Sequence, residues 1–103
     1  MHLPPVFLGL GSNLGDRESA LDAAIAALGR AGRVTAQSAF VDTAPEGGVR
    51  QPRYLNAVVR IETRLAPRAL LELCLRIEHD LGRRRRAGRA GASRTIDIDL
   101  LLH

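Results

Sequence analysis

Apolar residues in this chain change period in a set order, and that order leaves few folds open. Val6-Phe7-Leu8-Gly9-Leu10 is a continuous apolar run closed by glycine, the pattern of a central strand buried on both faces. Leu21, Ala24, Ile25 and Leu28 repeat at helical spacing. Residues 17–30 therefore read as an amphipathic helix, with Asp16 as its cap, Glu18 in its first turn and Gly29 and Gly32 bracketing its end. Val34 to Asp42 carries enough β-branched and aromatic residues for a strand. Ala44 to Arg53 holds two prolines and two glycines and reads as a loop. In the stretch from Tyr54 to Thr63, Val59 and Ile61 point one way and Arg60 and Glu62 the other, which is a strand. Pro67 suits the first turn of a second helix, striped by Leu70, Leu73, Cys74, Ile77 and Leu81. Glu72 and Arg76 stand four apart on it, and Gly82 is placed to stop it. The arginine- and glycine-rich stretch 83–93 reads as a mobile basic loop, and Ile96 to Leu102 as a last strand.

The order β-α-β-β-α-β makes two β-α-β halves of similar length, the ferredoxin-like α+β arrangement. It predicts one domain over residues 1–103, with both helices on one face of a four-stranded antiparallel sheet. Strands one and three should be central, with strand four at an edge beside strand one. The other sheet face then has no cover and must bind something, be solvated or form an interface. The apolar runs are a few residues long, against the roughly 20 that span a bilayer. The opening Met-His-Leu-Pro-Pro lacks the basic and apolar regions of a signal peptide. A single cysteine, Cys74, excludes an internal disulfide and a cysteine-based zinc cluster. These features predict a cytoplasmic chain without membrane contact.

Charge narrows the partners. All 15 basic residues are arginine, and five of them fall between Arg83 and Arg89. Arginine pairs with phosphate through two parallel hydrogen bonds, so an anionic partner is expected: nucleotide, nucleic acid or acidic surface.

Four groups of residues are candidates for chemistry. Asp97 and Asp99, in Arg94-Thr95-Ile96-Asp97-Ile98-Asp99, share one face of a strand while Ile96, Ile98 and Leu100 face the core. Their Cα atoms stand about 6.5–7 Å apart, so the carboxylates can converge on a hard cation or hold two. The same pattern also fits an edge strand that uses charge to resist aggregation. The run Arg83-Arg84-Arg85-Arg86-Ala87-Gly88-Arg89 can clamp a polyphosphate beside that pair, or be a solvated basic loop. Gly9-Leu10-Gly11-Ser12-Asn13-Leu14-Gly15 matches neither a dinucleotide fingerprint nor a P-loop. A tight strand-to-helix turn is its first reading, with close approach of backbone to a ligand the alternative. Tyr54 and Asn56 share a strand face, with Thr43 across the loop, and an amide beside a backbone edge can read a flat heterocycle. Glu78 lies near the end of the second helix, off its apolar stripe. His2, His79 and His103 show no ligand or triad spacing.

Taken together, these motifs resemble one family. Val6 to Gly15, Thr43-Ala44-Pro45, Gln51-Pro52-Arg53-Tyr54-Leu55-Asn56, Arg76-Ile77-Glu78 with Gly82-Arg83, and Arg94 to Leu100 occur in the order and near the spacing of the hydroxymethyldihydropterin pyrophosphokinases of folate biosynthesis. The resemblance covers positions 6 to 102. It implies a ferredoxin-like core and transfer of pyrophosphate from ATP to 6-hydroxymethyl-7,8-dihydropterin, leaving AMP, with two Mg2+ ions accompanying ATP. It implies metal binding by Asp97 and Asp99, and catalytic roles for these with Arg83 and Arg94. Arg83, Arg85 and Arg94 would clamp the nucleotide, Glu78 would help form the ATP site, and Thr43, Tyr54 and Asn56 would line the pterin pocket.

The chain departs from the family pattern at Ala90, where an aromatic ring is usual, and at Glu46, where an apolar residue is usual. Family members also continue for several dozen residues past the position of His103. The alternative expectation is a weakly active or inactive relative that serves as a nucleotide-binding or interaction module. An RNA-binding module ranks below both, because paired aromatics for base stacking are missing from a chain with two phenylalanines and one tyrosine. The expected partners are ATP and the pterin, with no specific nucleic acid. The expected state is a monomer, or a weak dimer through the exposed edge strand.

Overall fold

The computed structural model describes residues 3–13, 15–44, 53–86 and 96–102. Among the described residues the elements are, in order, β1 (Pro5–Ser12), α1 (Arg17–Leu28), β2 (Gly32–Gln37), β3 (Val41–Thr43), β4 (Tyr54–Thr63), α2 (Pro67–Arg86) and β5 (Asp97–Leu102). The strands form one antiparallel sheet in the order β2-β4-β1-β5, with β3 also pairing with β4. β1 and β4 are central and β5 is the edge beside β1, the ferredoxin-like arrangement that the element order predicts.

One apolar layer explains the assembly. Val6, Leu8 and Leu10 of β1 and Ala57, Val59 and Ile61 of β4 alternate onto one sheet face. There they meet Leu21, Ala24 and Leu28 of α1, Leu70, Leu73, Cys74 and Ile77 of α2, and Ile96 and Ile98. The helical stripes are those the sequence spacing predicts. Fully burying each valine, leucine or isoleucine among them is worth about 1.5–3 kcal/mol. Asp16 caps α1: its carboxylate accepts from the Ser19 N–H at 3.0 Å and the Ser19 hydroxyl at 2.9 Å. These bonds hold the Asp16 carboxyl below its ordinary pKa. Gly15 enters the turn before α1 at φ 63°, a conformation that glycine adopts without strain. At Gly32 a side-chain carbon would collide with the Glu62 carbonyl, so glycine lets β2 come against β4.

Four local expectations are corrected. β1 is buried on one face, while Phe7 and Gly9 on the other are half-buried, because no layer of described residues covers that side. The single strand expected over Val34 to Asp42 is two, β2 and β3, both paired with β4. In the gap the Ser38 N–H donates to the Val58 carbonyl at 2.8 Å, and the Ser38 hydroxyl accepts from the Val58 N–H at 2.9 Å. A side chain thus supplies one of the ladder bonds that a continuous strand would make. The second helix does not stop at Gly82 but continues to Arg86, so 83–86 are helix rather than loop. Glycine costs a helix only about 1 kcal/mol, and four arginines, good helix formers, follow it. Finally, Glu72 pairs with Arg68 at 3.7 Å rather than with Arg76. The rest of the expected basic loop, 87–93, lies outside the described residues.

Candidate functional site

The sheet face that no layer of described residues covers carries an open pocket of about 730 Å³. Its lining comes from four strands: Gly9, Leu10 and Gly11 of β1, Thr43 of β3 with Ala44 after it, Tyr54, Asn56, Ala57 and Val58 of β4, and Asp97 and Asp99 of β5. Strand register explains why they meet. Gly11 stands opposite Asn56 on one side and Asp97 on the other. Gly9 stands opposite Val58 and Asp99. Two rows of side chains therefore cross the sheet, each interrupted at its centre by a glycine. With strands about 4.8 Å apart, Asn56 and Val58 of β4 face Asp97 and Asp99 of β5 across β1, over a trough about 10 Å wide between Cα atoms.

Glycine at 11 leaves room for the side chains beside it. A carbon added there would stand 3.0 Å from Asn56 Oδ1 and 3.5 Å from the Tyr54 ring. At Gly9 the same carbon would meet only the Leu101 side chain, at an ordinary 3.4 Å. Leu101 is the extra residue where the β1–β5 register shifts, and it is 56% exposed at the rim. The sequence reading put Gly9 in the first strand but began the turn at Gly11, and so named neither as a floor residue. Both lie within β1. The available signal was two glycines two apart on a strand, which places both on one face.

On the β3–β4 side, polar groups are fixed by one another. Asn56 Nδ2 donates to Thr43 Oγ1 at 2.6 Å and reaches the Val41 carbonyl at 3.4 Å. With its N–H groups spent there, the amide turns Oδ1 toward Gly11 and the pocket. Tyr54 is half-buried beside it. Behind this wall Asp42 joins three segments: Arg17 Nη2 donates to one carboxylate oxygen at 3.0 Å and Arg53 Nε to the other at 2.7 Å. Arg17 also donates to the Arg53 carbonyl at 3.0 Å. The hydrogen bonds from Arg17 and Arg53 lower the pKa of Asp42.

On the β5 side the carboxylates share the pocket face, as strand alternation predicts, with Ile96 and Ile98 buried behind them. Glu78 of α2 lies under this strand, where its carboxylate accepts from the Ile98 N–H at 2.7 Å. Burial, and then the Glu78 charge, raise the pKa of the Cys74 thiol one helical turn away. Of the arginines singled out by sequence, Arg83 and Arg85 fall on the last turns of α2, and Arg94 lies outside the described residues. The structure therefore brings together Thr43, Tyr54, Asn56, Asp97 and Asp99.

A ferredoxin-like sheet with an amide–hydroxyl wall facing a carboxylate pair across a glycine floor has the groups to take a flat ligand beside a hard cation. Comparison with known proteins makes that class specific. The family model described as 7,8-dihydro-6-hydroxymethylpterin-pyrophosphokinase matches residues 7–103. The 2-amino-4-hydroxy-6-hydroxymethyldihydropteridine pyrophosphokinase of Porphyromonas gingivalis is 45% identical over 100 residues, covering 95% of this chain and 68% of that protein. The enzymes of that name from Methylorubrum extorquens and Bacillus subtilis are each 46% identical, covering 94% and 93% of this chain. The chain belongs to this pyrophosphokinase family. It spans 61% of the length of the Methylorubrum protein and 58% of the Bacillus one.

Proposed function

We propose that this chain transfers the β,γ-pyrophosphoryl group of ATP to the hydroxymethyl oxygen of 6-hydroxymethyl-7,8-dihydropterin, a step of folate biosynthesis, in the cytoplasm. The observation that carries the reading is the single pocket in which the Thr43–Asn56 pair and the Asp97–Asp99 pair face each other across Gly9 and Gly11. A flat pterin fits over a floor without side chains. The Asn56 carbonyl oxygen is aimed there as an acceptor for ring N–H groups, and Tyr54 closes the end.

Asp97 and Asp99 suit magnesium. They offer two hard oxygen donors on one strand face, and no group of three or more His, Cys, Asp or Glu forms among the described residues. Magnesium is characteristically held by one or two carboxylates together with substrate phosphates. Two ions bound there with ATP would neutralise the triphosphate and polarise the transferred phosphorus. The hydroxymethyl oxygen then forms its bond to the β-phosphorus as the bond to the α-phosphate oxygen breaks. AMP leaves, and the hydroxyl proton passes to solvent. The protein contributes positioning and charge rather than covalent chemistry. In this reading Arg83, Arg85 and Arg94 hold the phosphates, Arg83 and Arg94 as catalytic residues, and Glu78 helps form the ATP site from α2. The chain acts as a monomer, or as a weak dimer through the edge of β5.

The test is AMP release from ATP and Mg2+, with and without the pterin. AMP that forms only with the pterin is the expected result. No AMP at high protein concentration would sink the reading and leave a relative that binds nucleotide without turning it over.

A further inference from the structure

We infer that Glu78 is a positioning residue that fixes Asp97 and Asp99 through the backbone between them. The inference rests on the reading of that pair as the metal site. β5 is an edge strand whose ladder runs along β1. Alternate residues of an antiparallel strand direct their N–H groups to opposite sides. Ile98 turns its N–H to Glu78, so the N–H groups of Asp97 and Asp99 face β1 at Gly11 and Gly9.

Three consecutive residues are thus held from both sides, the aspartates by β1 and the residue between them by α2. The Glu78 contact is short, 2.7 Å, partly buried, and made by a carboxylate to a backbone donor, the stronger class of hydrogen bond. It is also anchored: Cys74 and Ile77, neighbours on the same helix, are buried in the core, and Ile98 is buried beside them. The rigid end of the contact is the helix, and the end that would otherwise fray is the edge strand. A strand shift of a few tenths of an ångström would carry both carboxylates with it, because both side chains leave the same short backbone segment. The carboxylate also occupies an edge donor that a second copy would need for strand pairing, which favours the monomer.

The experiment compares the chain with its Glu78→Ala and Glu78→Gln variants, since glutamine keeps an acceptor oxygen and loses the charge. Amide hydrogen exchange of Ile98 is read by NMR, Mn2+ affinity by electron paramagnetic resonance, and ATP affinity by titration without metal. Glu78→Ala should speed exchange at Ile98 at least tenfold and weaken Mn2+ binding about 10–100-fold, as loss of a partner behind metal ligands does. Metal-free ATP affinity should fall by clearly less than Mn2+ affinity does, and Glu78→Gln should recover exchange and Mn2+ affinity to within about threefold of the parent.

Unchanged Mn2+ affinity in Glu78→Ala would overturn the positioning role alone. Loss of metal-free ATP affinity equal to the loss of Mn2+ affinity would overturn it in favour of direct nucleotide contact. A parent chain that binds no Mn2+ would overturn the metal reading itself, whatever the exchange rate. Should Glu78→Ala not fold, the parent decides on the anchor: a protected Ile98 amide supports it, and exchange at the unstructured rate overturns it.

Discussion

On the β3–β4 side of the pocket, side chains hold side chains: Asn56 is fixed by Thr43, and behind them Asp42 is gripped by Arg17 and Arg53. On the β5 side the backbone is held instead, by β1 along one edge and Glu78 at the other, and the carboxylates ride on it. The difference matches what the proposed function asks of each wall. A wall that reads a flat heterocycle needs one amide orientation, so its donors are spent on neighbours and its acceptor is left aimed at the ligand. A wall that binds a cation must keep carboxylate oxygens for the ion, so rigidity has to come from the strand.

The comparison breaks most sharply at Asp97. Replacing it by alanine removes half of the carboxylate pair and should lower AMP formation by about 10³-fold or more, since such an ion is worth several kcal/mol in the transition state. The variant should still fold, because the side chain faces the pocket and not the core. Loss of folding in that variant would show that the strand face is misassigned. Gly11→Ala strikes the floor between the two walls. Its new carbon would press on Asn56 Oδ1 at 3.0 Å, so pterin affinity should fall about tenfold, near 1.4 kcal/mol, with Mn2+ affinity unchanged. Equal losses of both ligands would mean that the walls are not independent. Thr43→Val keeps the shape and removes the hydroxyl that orients Asn56. That bond is worth about 0.5–1.5 kcal/mol, so pterin binding by fluorescence titration should weaken about 2–10-fold.

Legibility from sequence follows the same division. The acid pair was readable because strand alternation alone puts Asp97 and Asp99 on one face, and the buried Ile96 and Ile98 agree. The two helices and the sheet order were readable because Leu21 to Leu28 and Leu70 to Ile77 state their period openly. The break between β2 and β3 was not, since it depends on where the Ser38 hydroxyl goes, and hydrophobic patterning does not record that. The end of α2 was misread because glycine was weighed against the helix without the arginines beyond it. The Glu78 anchor and the Asp42 clamp join residues 20 or more apart in sequence (Glu78 to Ile98, Arg17 to Asp42) and arise only with the tertiary fold. Residues 45–52 and 87–95, which include Arg94, lie outside the described residues.

The smallest effect belongs to the outer layer of the polar wall. Asp42 and Arg53 precede Thr43 and Tyr54 directly, so their ion pair ties together the two strand ends that carry pocket residues. Asp42 and Arg53 are exposed, with Arg17 half-buried beside them, and exposed pairs are screened by salt. Asp42→Asn should therefore lower the melting temperature only slightly at neutral pH, more at low salt than at high, and weaken pterin binding less than Thr43→Val does. The pH dependence has a definite sign. The two guanidinium groups hold the folded-state pKa of Asp42 below its ordinary 3.8. The charged carboxylate consequently stabilises the fold above the unfolded-state value, and that contribution fades as pH falls through the lower folded-state value. Melting curves of parent and variant should converge as acidification proceeds below the ordinary 3.8. A gap that persists unchanged there would mean that Asp42 acts through hydrogen bonds its amide counterpart cannot make, rather than through its charge.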